Sequence, residues 1–221
     1  MLASHRMAAQ APAPVPPAGA PLDAVRDAAT GCRACDLWEH ATQTVFGEGR
    51  TGAWLMLVGE QPGDREDLTG APFVGPAGAL LDRALEEAGI DRRAAYVTNV
   101  VKHFKWQPRG KRRIHQRPNT EEIRACRPWF EAEVLRVRPT IIVCLGATAA
   151  QALIDRRFRV TRERGEVRPS ELGPMISATV HPASVLRAPN GDAREAAYRG
   201  LVEDLRRIAA QAAPSSARSD R

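Results

Sequence analysis

The chain of 221 residues carries 32 lysines and arginines against 26 acidic residues, a formal net charge of +6 with histidine neutral. That length suits one well-buried domain with tails, and the basic balance suits a phosphate-bearing partner while saying nothing of the fold. No apolar run approaches the roughly 20 residues that span a bilayer, and the Ala/Pro-rich start lacks the apolar core of a secretory signal, which argues against a membrane or secreted protein and for the cytoplasm.

Residues 1–21, "MLASHRMAAQAPAPVPPAGAP", offer few large side chains and many prolines, so they cannot bury enough apolar area to offset ordering entropy and are predicted to be disordered. Residues 213–221 read the same way, leaving 22–212 as the expected domain. Within it a helical pattern at 22–38 leads to an apolar run at 54–60 and a helix at 76–89. A second apolar run at 94–101, a helix at 120–137, a third run at 140–147 and a helix at 146–154 follow. A fourth run at 175–182 and an amphipathic helix at 192–212 complete the series. No internal repeat is evident. Short apolar runs alternating with helices predict an α/β fold, a three-layer α/β/α sandwich around a mostly parallel four-stranded sheet. Ligands in such sheets bind beyond the carboxyl ends of the strands. That rule selects "GEQPGD", "TNVVKHFK", "LGATA" and "HPAS".

The loop "VGEQPGDREDLTGAPFVGPAG" leaves a strand through glycines and a proline and enters a helix, so its backbone amides suit an anion or a carbonyl. A tight turn is the plain alternative, but it needs neither Phe73 nor the polar set Glu60, Gln61, Asp64 and Asp67. Asn99 is either a turn former or an amide presented to the edge of a planar heterocycle. His181, before Pro182, is either a structural strand end or a catalyst. From Lys102 to Arg117 run seven basic residues without an acidic one, including Arg109, Lys111, Arg112 and Arg113, and this is either a solvated charge run or a phosphate track. In a reducing compartment the four cysteines are poor disulfide candidates. Cys144 reads as a small buried hydrophobe, and the other cysteines read as metal ligands, thiols or core residues.

Together these motifs resemble the family 4 uracil-DNA glycosylases, from "GCRACDLWEHATQTVFGEG" through "HPASVLR". The usual family pattern is a Gly-Glu-Gly-Pro-Gly loop, a Pro-Phe-Val-Gly segment, a Thr-Asn strand end and a His-Pro turn. Two departures, Gln61 in "GEQPG" and the insertion "KRRIH", are similar to those of the UdgX subgroup, which becomes covalently attached to uracil-containing DNA. The resemblance implies the uracil-DNA glycosylase fold and a four-iron, four-sulfur cluster on Cys32, Cys35 and Cys126. His103 would stand where ordinary members have a cysteine, and an imidazole can replace thiolate at iron; zinc is the alternative.

The resemblance further implies that Phe73 stacks on an extruded uracil, Asn99 reads its polar edge and His181 hydrogen-bonds the pyrimidine oxygen that gains charge. Glu60 and Asp64 would stabilise the sugar cation or polarise a nucleophile, with Gln61 fixing the loop or the base. Arg109, Lys111, Arg112 and Arg113 would hold the DNA backbone while His115 attacks C1′. The expected protein is a monomeric uracil-DNA glycosylase acting on uracil-containing DNA, single-stranded by preference, and trapped on its product. A conventional turnover glycosylase and a non-catalytic iron-sulfur nucleic-acid binder are the competing readings.

Overall fold

The computed structural model describes residues 16–212. The expected disorder of 1–15 and of 213–221 lies outside the described residues. Pro16 to Pro21, also in the expected tail, are described, and the Arg136 guanidinium donates to the carbonyls of Pro17 at 2.8 Å and Ala20 at 3.1 Å.

Four strands, β1 (Leu55–Gly59), β2 (Ala95–Asn99), β5 (Ile141–Leu145) and β6 (Met175–Thr179), form one sheet in the order β2-β1-β5-β6, every pair parallel. The sheet is therefore wholly rather than mostly parallel. β1, β2 and β5 are buried along their whole length. That double-sided burial explains why their sequences read as unbroken apolar runs rather than alternating ones.

Alternate residues nevertheless serve different cores. Met56, Val58, Tyr96, Ile142 and Cys144 face helices α1 (Leu22–Ala29), α4 (Thr120–Val137) and α5 (Ala147–Leu153). Leu55, Leu57, Val97, Ile141 and Val143 face α3 (Pro76–Glu87), α7 (Pro182–Leu186) and α8 (Gly191–Ala212). Helices on both faces give the three-layer sandwich. No helix among the described residues is long and apolar enough to cross a membrane.

Three details depart from the sequence reading. The helix expected over 22–38 stops at Ala29; an irregular segment through Cys32 and Cys35 follows, then a single 3-10 turn at Asp36–Glu39. Short helices α2 (Asp64–Thr69) and α6 (Val160–Glu163), like α7, lack the length that makes periodicity visible. The basic segment, for which the sequence reading placed no element, is an antiparallel hairpin of β3 (Trp106–Arg109) and β4 (Arg112–His115), pairing Arg109 with Arg112 and Trp106 with His115. Gly110, at φ 60°, makes its tight turn possible.

Lys102, expected among the phosphate contacts, is instead buried with 1% exposure. Its ammonium donates to Glu133 at 2.5 Å, Thr98 Oγ1 at 2.6 Å and the Asn99 carbonyl at 2.7 Å. Glu133 also accepts from Gly47 N at 2.9 Å and the Tyr96 hydroxyl at 3.0 Å, so both buried charges are fully partnered. Removing one partner strands the other. Lys102→Met is therefore expected to destabilise the fold by about 3–5 kcal/mol, read as a lower urea midpoint.

Candidate active site

The carboxyl ends of the four strands meet at one edge of the sheet. Gly59 and Asn99 are in register across β1 and β2, and the absence of a side chain at Gly59 is what lets the pocket exist. A Cβ there would lie 2.9 Å from Phe73 Cζ and closer still to Asn99 Oδ1. Phe73 is held at φ 58°, an uncommon conformation for a bulky residue, with its carbonyl packed where any Cβ on Gly78 would collide. Glu66 steadies this loop from α2 by accepting a hydrogen bond from Gly75 N at 2.9 Å.

From the segment that follows β6, His181 stacks toward Phe73, with centroids 6.2 Å apart and planes at 27°. As the N-cap of α7, His181 accepts a hydrogen bond from Ala183 N at Nδ1, 3.1 Å. A neutral ring must then carry its proton on Nε2. Gly146, at φ 91°, allows the β5 loop to approach, since a Cβ would stand 2.9 Å from that of His181.

Burial pushes the His181 imidazole down to about 4, with the charges of Arg187 and His115 adding to the effect, so this is a neutral hydrogen-bond donor at neutral pH. Between the ordinary value of 6.5 and about 4, the unfolded chain takes up a proton that native His181 does not. Stability should therefore fall as pH drops through that window, and His181→Gln should reduce the slope by about 1 kcal/mol per pH unit, measured by denaturant unfolding at pH 5 and 7.

Glu60, just past β1, accepts a short hydrogen bond from Thr148 Oγ1 through Oε2. Its Oε1 is buried and accepts no hydrogen bond, although His115 Nε2 stands 3.3 Å away. Burial lowers the His115 pKa, opposed by Glu60 and reinforced by Arg187. The imidazole is thus neutral at neutral pH, half exposed and next to a carboxylate.

Gln61 explains how a hairpin can aim a histidine. Its amide nitrogen donates to the carbonyls of Lys105 at 3.1 Å and Gln116 at 3.0 Å, and its oxygen accepts from Lys105 N at 3.2 Å. These three bonds tie both ends of the hairpin to the β1 loop. They also use both amide hydrogens of Gln61, so positioning the hairpin is the role its contacts show, and one acceptor site on its oxygen is left for a base.

Arg113, expected on the DNA backbone, is held internally. Rather than facing a phosphate, its guanidinium donates to Asp64 Oδ1 and Asp67 Oδ2, each at 2.6 Å, and lies over Phe104 and Trp106 at 5.4 and 5.5 Å. The same contact takes up the Asp64 carboxylate, expected at the chemistry, in latching α2 to the hairpin. Arg109, Lys111 and Arg112 remain exposed near the hairpin tip. Thr148 and Gly146 were missed as individual residues although the strand-end rule had singled out "LGATA"; small and hydroxyl side chains give no signal of their own partner.

Cys32 and Cys35 pack against the core that contains Cys126, whose Sγ accepts a hydrogen bond from Lys102 N at 3.2 Å. Burial pushes the Cys126 thiol up to about 12 and raises that of Cys35. His103 Nε2 is 3.0 Å from Thr44 Oγ1, and burial lowers its pKa. Among the described residues no three His, Cys, Asp or Glu side chains converge to hold a single ion. Cys144 is buried in β5, where burial raises its thiol pKa, as a small core residue should be.

Comparison with known proteins gives this arrangement relatives. The profile of the uracil DNA glycosylase superfamily matches residues 46–206. A type-4 uracil-DNA glycosylase of Thermotoga maritima is 36% identical over 185 residues, 83% of this chain and 91% of its own. One of Archaeoglobus fulgidus is 40% identical over 175 residues, 76% and 84% of the two chains. One of Sulfurisphaera tokodaii is 34% identical over 195 residues, 85% and 83%.

Proposed function

The chain belongs to the uracil DNA glycosylase superfamily, and from that premise we propose that it excises uracil from DNA and that His115 then captures the deoxyribose. The observation that carries the second step is the neutral imidazole of His115 set 3.3 Å from an unsatisfied Glu60 oxygen, beside the Phe73, Asn99 and His181 pocket. A nucleotide must leave the stack to reach that pocket, which is easiest in a single strand. Phe73 stacks on the base and the Asn99 amide reads its polar edge. His181 Nε2–H meets the oxygen that becomes negative as the glycosidic bond lengthens.

The bond between uracil N1 and C1′ breaks, its electron pair leaving with uracil, and a ring nitrogen of His115 supplies the pair that forms a new bond to C1′. The alkylated ring is cationic until it loses its N–H proton, and Glu60 stabilises that charge. The uracil anion takes a proton from solvent. The exposed Arg109, Lys111 and Arg112 hold backbone phosphates, while Gln61 and Arg113 position the hairpin.

Three thiols form a soft donor set suited to iron. On this reading Cys32, Cys35 and Cys126 hold a four-iron, four-sulfur cluster, with His103 as fourth ligand through Nδ1, the nitrogen that Thr44 leaves free. The cluster's part is structural. Cys35→Ser is expected to abolish the brown colour and bound iron of the purified protein, measured by visible absorption and metal analysis. Stoichiometric zinc in anaerobically prepared wild-type protein would overturn the cluster.

Mixing the protein with a uracil-containing single-stranded oligonucleotide tests the whole reading. Uracil release together with a complex that survives boiling in detergent supports it, and thymine-containing DNA should give neither. Several equivalents of uracil without a stable complex would establish the turnover reading. Binding without any uracil release would leave only a nucleic-acid binder.

A further inference from the structure

Beside the catalytic edge lies a cleft of about 720 Å³ between α4 and α5 that the chemistry above does not use. Arg117, Arg124, Arg127 and Arg156 line it, and no acidic residue does. These arginines come from three separate parts of the chain: the segment after β4, helix α4, and the turn after α5. A solvated stripe on one helix would not gather them in this way. Arg117 is oriented by Gln151 Oε1 at 2.8 Å and Arg127 pairs with Glu131 at 2.7 Å. Arg124 and Arg156 are exposed and, among the described residues, pair with no carboxylate. Two neighbouring cations left without counter-charges, as Arg124 and Arg156 are, are unfavourable unless an anion is to be bound.

The rest of the lining mixes apolar side chains, including Val100, Ile123 and Leu153, with the polar Asn119, Thr120, Thr148 and Gln151. A cationic rim over a partly apolar floor matches a strand whose phosphates and bases face different ways. The cleft is also placed to serve the reaction: Thr148 belongs to its wall and hydrogen-bonds Glu60. With Arg113 withdrawn into an internal latch, the hairpin alone offers fewer phosphate contacts than its charge suggests.

We propose that this cleft binds the single-stranded DNA segment flanking the extruded nucleotide on one side, with Arg124 and Arg156 on its phosphates. The placement relative to that nucleotide rests on the glycosylase reading; the binding itself does not. The test uses Arg124→Ala/Arg156→Ala, with Arg162→Ala/Arg199→Ala as a control that removes the same charge elsewhere on the surface. Affinity for uracil-free single-stranded DNA is measured against salt by fluorescence anisotropy. Losing two phosphate contacts should reduce the slope of log K against log salt by about 1.4. Affinity at low salt should weaken at least tenfold relative to the control.

Uracil release is then compared for oligonucleotides with the uridine at the 5′ end, in the middle and at the 3′ end. The cleft variant should be impaired on every substrate that retains one particular flank and equal to wild type on the one that lacks it. An unchanged salt slope, or losses matching the control pair, would overturn the proposal, as would equal impairment whichever flank is present. Should wild-type protein release no uracil, the glycosylase reading fails, while the measurement on uracil-free DNA still decides whether the cleft binds.

Discussion

His115→Ser is expected to release uracil while forming no complex that survives boiling in detergent. The hairpin does not depend on the imidazole for its position, because Gln61 ties both of its ends and Arg113 latches it to Asp64 and Asp67. The pocket residues Phe73, Asn99 and His181 likewise lie on other segments. Replacing the ring with a smaller hydroxyl leaves room for water next to the free Glu60 oxygen, so the sugar cation is hydrolysed and the strand acquires an alkali-labile abasic site. Denaturing gels and uracil release measured on the same samples separate the two steps. A resistant complex at wild-type yield would remove His115 as nucleophile, and peptide mapping of the adduct would then decide between Glu60 and another group.

The second large effect belongs to His181. Its ring is a neutral donor with Nε2–H directed by the Ala183 N contact, so His181→Ala should slow uracil release by roughly 10²–10³-fold, the usual consequence of losing one donor to developing negative charge. Affinity for uracil-free DNA should change little, since phosphate contacts rather than the pocket carry it. Single-turnover rates and anisotropy on the same oligonucleotide make the comparison. A loss below tenfold in rate would reduce His181 to a helix cap.

Strand ends were the most legible part of this protein. Runs such as "WLMLVGE" are long enough and apolar enough to mark buried parallel strands, and the strand-end rule then placed Glu60, Asn99 and His181 at one edge. The hairpin was opaque because β3 contains Pro108 and β4 opens on two arginines, so neither shows strand periodicity. The partners of Lys102 and Arg113 were hidden for a different reason. A basic residue in a basic stretch looks like a solvent-facing charge, and only the fold brings Glu133 to one and Asp64 and Asp67 to the other. Gln61 could be flagged as a departure from a family pattern, but its partners at Lys105 and Gln116 are 44 and 55 residues away in sequence.

The double tether of the hairpin also bears on which reagent reaches the sugar. Water arrives at the cation from bulk, at a concentration fixed by the liquid. In the proposed reaction His115 is delivered by a short ribbon fastened at its base, so its attack is in effect unimolecular. Well-oriented internal reagents reach effective molarities of about 10⁵–10⁸ M, far above that of any solvent. On the proposed chemistry, capture is then the kinetically dominant fate of each cation, and each molecule acts once. Loosening the base of the ribbon, without touching the imidazole, would move the partition toward hydrolysis and lengthen the working life of the protein.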